Sequence, residues 1–146
     1  MHRHSKTVVV LFQLIMGFIA LFHITIGASL MFSIEAQQFF AGLYGAQLEA
    51  RDDVTYLVRV LGSFALALGV LAVLAAKNPL ANRAIGWGFV TLFILRDIQR
   101  HLYFSELESG FMLGASSNIL TSVFFIAQTI FLIVLLLSLQ KISKSS

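Results

Sequence analysis

Apolar residues fall into four long runs along this chain, and polar residues gather mainly between them. The runs are Thr7–Phe32, Thr55–Ala76, Arg83–Tyr103 and Ser116–Leu139. A helix of roughly 20 apolar residues, rising about 1.5 Å per residue, crosses the hydrocarbon core of a bilayer. The pattern therefore predicts an all-α membrane protein: a four-transmembrane-helix bundle, residues 1–146 forming a single membrane domain. The joint "KNPLAN" between the second and third runs is a helix-breaking turn. Pro79 cannot continue a helix, and Asn78 suits a C-terminal cap. Residues 33–54 mix Phe39, Phe40, Leu43 and Tyr44 with Gln and Glu. They read as an extracytoplasmic, partly interfacial segment, with a short helix ending near Gly42 or Gly45. The last connection, "FSELESGFMLGAS", reads as a loop with aromatic anchors.

Composition agrees with the pattern. The chain is 58% hydrophobic and 12% charged, with a mean hydropathy of +0.89. Soluble domains carry about a quarter charged residues. There is no cysteine. This excludes disulfides, thiolate nucleophiles, Cys-ligated metals and thiol-based quinone reductases. No HExxH, Gly-rich phosphate loop or Ser–His–Asp spacing stands in the loops.

Charge then orients the runs. The N-terminus, the Pro79 turn and the C-terminus hold Arg3, Lys6, Lys77, Arg83, Lys141 and Lys144, with no acid. The other connections hold Glu35, Glu49, Asp52, Asp53, Glu106 and Glu108, with Arg51 as the loop base. Lys and Arg stay cytoplasmic, so both termini are expected inside, in a bacterial inner membrane. The net charge of +3 is accounted for by this asymmetry and calls for no nucleic acid. "HRHSK" resembles the basic start of a signal peptide, but the apolar run after it exceeds the usual h-region of roughly 7–15 residues. It is expected to be a retained span.

Two of the runs carry more than hydrophobicity. In the second, Gly62, Ala65, Gly69, Ala72 and Ala76 recur at alternating three and four. Such a stripe lets helix backbones approach closely where no hydrophobic effect drives association. It fits a partner helix in the same chain or in a second copy. The third run ends in "ILRDIQRHLYFSE", where Arg96, Asp97, Gln99, Arg100 and His101 crowd into an apolar helix. At about 100° per residue, Arg96, Arg100 and Tyr103 share one side, flanked by Asp97 and His101. Ile94, Leu95, Ile98 and Leu102 form the opposite arc, suited to lipid. Partners stand at similar depth elsewhere: His23 on the first run, Arg59 on the second and Asn118 on the fourth, whose face also carries Thr121, Ser122, Gln128 and Thr129.

Intramembrane ionisable groups are functional candidates. The expectation is a polar pocket in the outer half, open outward, with Arg59, Arg96, Asp97, Arg100, His101, His23 and Asn118 as ligand-binding residues and Arg96 coupled to Asp97. The structural alternatives are that Arg59, Arg100 and His101 snorkel to headgroups and that a local Arg96–Asp97–Arg100 network only fixes helix packing. The 14 phenylalanines read as ordinary membrane composition.

The four spans, the size, and the "LVRVLGSFALALGVLAVLAAKNP" pattern of Arg59, Gly62 and Gly69 before a basic, Pro-containing turn resemble the small four-helix bacterial membrane proteins of the DoxX-like type. "GLYG" before that run resembles the outer segment of the same group. "RDIQRH" lies outside the resemblance. Some members are linked to quinone-coupled redox chemistry, and this is what the resemblance implies.

Three readings follow. The chain binds a small amphipathic or quinone-like molecule, Arg96 and Arg100 holding a carbonyl, carboxylate or phosphate while Asp97 and His101 exchange protons, as a membrane component of a redox system. Alternatively it is a non-catalytic structural or assembly subunit, a homo-oligomer or part of a larger membrane complex. Haem or chlorophyll held by His23 and His101 is the third, disfavoured because His101 lies shallow. The lipid bilayer is a partner in all of them.

Overall fold

The computed structural model describes residues 2–43, 51–111 and 114–144. They form six helices in chain order: α1 (His2–Phe32), α2 (Ile34–Leu43), α3 (Asp52–Lys77), α4 (Arg83–Leu102), α5 (Phe104–Phe111) and α6 (Ala115–Lys144). Three are long and apolar enough to cross a membrane: Ser5–Phe32 within α1, Asp52–Lys77 and Ala115–Lys144. This is consistent with an integral membrane protein. The fourth expected span, α4, is a 20-residue helix but carries Arg83, Arg96, Asp97 and Arg100. Large apolar side chains cover the outside, among them Leu14, Leu21, Phe64 and Leu120.

Two helix pairs make up the bundle. α1 lies along α3, α4 lies along α6, and α1 touches α6 more sparsely. The first pair is closer than side chains would normally allow. A Cβ at Gly27 would lie 2.6 Å from the backbone nitrogen of Leu66 and 2.8 Å from the Gly62 carbonyl oxygen. One at Gly69 would lie 3.0 Å from the Ile24 nitrogen. The small-residue stripe on α3 thus has its partner within the same chain, on α1. Where lipid is as apolar as leucine, such contact supplies the dispersion energy that holds two helices together.

The main apolar core fills the end that carries both termini, called the near half below. Phe12 and Met16 of α1, Ala72 and Ala75 of α3, Phe89 of α4, and Leu132, Leu136 and Leu139 of α6 are buried there. At Gly86, α4 comes up against Phe12 and Leu136. The Pro79 turn joins α3 to α4 as expected of it. Asn78 caps α3, its N–H donating to Leu74 O at 3.2 Å, and Asn82 Nδ2 donates to the same oxygen at 2.9 Å.

The far half carries the two short helices. α2 starts where Ser33 Oγ accepts from the Ala36 N–H at 3.0 Å and donates to Glu35 at 2.8 Å. The Glu35 carboxyl is held below the usual carboxylate range, first by its own backbone N–H and then by the Ser33 hydroxyl. Gln37 is buried and donates to Leu30 O at 2.8 Å, tying α2 to α1. The helix expected to end near Gly42 or Gly45 has Leu43 as its last described member, while Tyr44, Gly45 and Glu49 lie outside the described residues. The connection expected as a loop after α4 differs: Phe104–Phe111 is helical. No proline or glycine interrupts its first turns, and Ser109 Oγ bonds back to Ser105 O at 2.8 Å, so the chain has no reason to break there.

Candidate functional site

Between α1 and α6, in the far half, lies a cleft of about 370 Å³. This falls within the range of small-molecule sites, about 300–1,000 Å³. Its walls are mainly rings: Phe18 and Phe22 from α1, Phe93 from α4, and Phe124 and Phe125 from α6. Leu43, at the end of α2, reaches its edge. The polar wall residues are His23, Thr121 and Gln128.

The rings form a continuous series. Phe18–Phe22, Phe22–His23, His23–Phe89, Phe89–Phe93 and Phe93–Phe125 have centroids 6.4, 5.7, 5.7, 5.9 and 5.8 Å apart. Edge-to-face and tilted pairs at such separations contribute beyond simple area burial. His23 is buried, and its Nδ1 donates to Ile19 O at 2.8 Å. A carbonyl can only accept, so Nδ1 carries a proton. In the neutral ring Nε2 is then an acceptor, and it makes no hydrogen bond among the described residues.

The charged residues of "RDIQRH" do not line this cleft, and each meets different surroundings. Arg96 sits over the Phe125 ring, its guanidinium carbon 5.3 Å from the centroid. It is exposed and makes no hydrogen bond or ion pair among the described residues. Arg100 is half-buried, and its Nε donates to Oδ1 of buried Asn118 at 3.0 Å. His101 Nε2 lies 3.2 Å from Ser122 Oγ and 3.9 Å from Asp97 Oδ2. Asp97 is 18% exposed, and its Oδ1 has no protein partner among the described residues.

The seven expected site residues therefore separate. Arg100 and His101 meet Asn118 and Ser122 of α6 and knit α4 to α6, while Asp97 lies beside His101 on α4 itself. His23 alone among the seven is a wall of the cleft. Arg96 reaches the cleft through one of its rings. Arg59 is exposed on α3, a helix that barely meets α4. The expected Arg96–Asp97 coupling is not an ion pair. Neighbouring residues on a helix point about 100° apart, whereas Asp97 and His101, four apart, lie on one face. The apolar arc is as expected: Ile94, Leu95, Ile98 and Leu102 are all exposed.

The five phenylalanine walls were not singled out by sequence reasoning, which treated phenylalanine as background composition. A signal was present. Phe18, Phe22 and His23 are placed four and one apart on α1, and Phe124 and Phe125 stand between Thr121 and Gln128 on α6. Two helices each repeating aromatic and polar residues at the same depth mark a lining. No group of three or more His, Cys, Asp or Glu side chains placed to hold a metal ion occurs among the described residues. No family model, curated protein or solved structure matches the chain.

Proposed function

We propose that this chain is a four-span membrane protein that binds an amphipathic, quinone-like molecule in the α1–α6 cleft. The observation that carries the reading is a ring-walled cavity with the exposed Arg96 guanidinium stacked over one of its rings, Phe125. A flat ring would stack among Phe18, Phe22, Phe93, Phe124 and Phe125. Its carbonyl or acid group would accept from Arg96, and a hydroxyl would donate to His23 Nε2. An arginine without other hydrogen bonds has its full donor fork to offer. α4 is the fourth span in this reading, its charged face turned to the cleft and α6 while Leu95 and Ile98 meet lipid. Both termini lie in the cytoplasm of a bacterial cell, and the cleft opens in the outer half. The DoxX-like resemblance and its tie to quinone chemistry point to the same class of ligand.

The test is equilibrium binding of a short-chain benzoquinone to the protein in lipid nanodiscs. Arg96→Gln should weaken binding about tenfold or more, since a hydrogen bond to a charged group is worth about 1.5–3 kcal/mol. Leu95→Ala, on the lipid arc, should bind as the parent does. Equal binding by Arg96→Gln and the parent overturns the site. Absence of binding by the parent, with stable association to other membrane proteins, favours an assembly subunit. Orientation has its own test, because the chain has no native cysteine. Ser109→Cys should react with an impermeant thiol reagent in intact cells, and Ser5→Cys and Ser143→Cys should not.

A further inference from the structure

A second concavity lies at the near end, away from the cleft. There the start of α4 and the end of α6 run side by side and enclose a groove of about 470 Å³. Arg83 and Trp87 line it from α4, and Gln140, Ser143 and Lys144 line it from α6. Its charged walls are both cations. Neither Arg83 nor Lys144 makes an ion pair or a side-chain hydrogen bond among the described residues. Arg83 follows a turn that Asn78 and Asn82 fasten to Leu74 O, so its backbone is fixed in place. Trp87 sits one turn deeper, half-buried against the apolar core. An indole placed between apolar core and polar groove suits the membrane–water boundary. Below Gln140, the same face of α6 continues in Leu137 and Ile133, an apolar surface for hydrocarbon chains.

We propose that this groove binds the phosphate of an anionic phospholipid headgroup. Basic pockets between membrane helices select such headgroups. The Arg83 fork matches two phosphate oxygens, Lys144 adds a mobile point charge, and Ser143 and Gln140 have donors for the remaining oxygens. Two cations facing one another across empty space repel, and a phosphate between them removes that repulsion. Lys77 and Lys141 belong to the same end but do not line the groove. They raise the general positive potential without defining the site.

Trp87 is the chain's one tryptophan, so its fluorescence reports this groove directly. The protein is placed in nanodiscs and titrated with phospholipids brominated high on the acyl chain, either phosphatidylglycerol or phosphatidylcholine. The anionic lipid should quench Trp87 at about a tenfold lower mole fraction, as two basic contacts to an anionic headgroup imply. Arg83→Gln with Lys144→Gln should bring the two curves together. Lys77→Gln with Lys141→Gln removes the same charge outside the groove and should keep them apart. Should the first pair fail to fold, Lys144→Gln alone, an exposed position at the end of α6, must still narrow the difference. Coincident curves for the parent protein overturn the proposal, and so does an undiminished preference in the groove variants. Millimolar inorganic phosphate or glycerol phosphate separates the sources: relief of quenching by either would show a site for free phosphate and overturn the lipid assignment.

Discussion

Around Phe12, Met16 and Leu136 the long helices close until those side chains have no exposed surface. About 15 Å further along α1, ten residues at the helical rise, Phe22 stays 40% exposed, and Phe124 of α6 stays 55% exposed. The same helices and the same residue type thus give a sealed half and an open half. Partners make the difference. In the near half, Phe12 and Met16 of α1 and Leu132 and Leu136 of α6 bury against one another and Phe89 in one apolar cluster. In the far half, α6 turns Asn118 and Ser122 toward Arg100 and His101, and α1 turns Ala20 and Gly27 toward α3. Each helix is committed to its own neighbour, and the space between the pairs becomes the cleft.

The ring-lined opening of the far half thus lies between α1 and α6, and the sharpest way to break the contrast is a wedge in the far half. Gly27→Leu would force a side chain into the backbone of α3. It should cost about 3 kcal/mol or more, because the obstacle is main chain that cannot rotate away. Gly17→Leu is the control, since a Cβ there meets nothing within 4 Å. Equal thermal stability of the two variants would mean that the far half is loose throughout.

Truncating one ring in each half comes next. Phe12→Ala should lower stability by about 2 kcal/mol. This is below the 3–5 kcal/mol of soluble cores, because in lipid the transfer term largely vanishes and lost packing remains. Phe124→Ala should change thermal stability little but weaken retention of a ring-bearing ligand. A reversal of these two outcomes would reverse the assignment of sealed and open halves.

The α4–α6 seam predicts a smaller effect. Asn118→Leu removes the acceptor of the Arg100 Nε–H and should cost about 1.5 kcal/mol, typical of hydrogen bonds between membrane helices at their stronger end. Asn118→Asp keeps an acceptor and should be the milder change, read by thermal unfolding in detergent. The smallest effect is expected at α2. Ser33→Ala removes the cap on the Ala36 amide and should cost about 1 kcal/mol, seen as faster hydrogen exchange confined to α2. The pH sign follows from Glu35, whose folded pKa is depressed. Its contribution is complete above the ordinary carboxylate range and is lost as pH falls through the lower folded value. Faster exchange in α2 at acid pH, reduced in Ser33→Ala and absent in Glu35→Gln, would show it.

Much of the frame was legible from hydrophobic runs alone. The breaks at Asn78–Pro79, the α2 helix and the exposed apolar arc of α4 follow from local rules that need no tertiary partner. The stripe from Gly62 to Ala76 announced a close crossing, but could not say with what. The candidate site was legible only in part. His23 was legible as a residue of the half away from the termini, because position along a helix follows from residue count. Arg96, Asp97, Arg100 and His101 were placed in one pocket because they share a helix, and a helical wheel cannot tell a seam from a cavity.

Apart from α5, which reads as a loop, the sequence by itself determined which segments are helical, which faces are apolar and at which end the basic residues gather. These properties are periodic or cumulative along the chain. The tertiary structure decided that α1 belongs to α3 and α4 to α6, and therefore that Arg100 and His101 close a seam while Phe22 and Phe124 border a cleft. Pairing is set by the fit of whole helix surfaces, Gly27 against Gly62 and Arg100 against Asn118, and no single stretch of sequence contains both sides of such a fit.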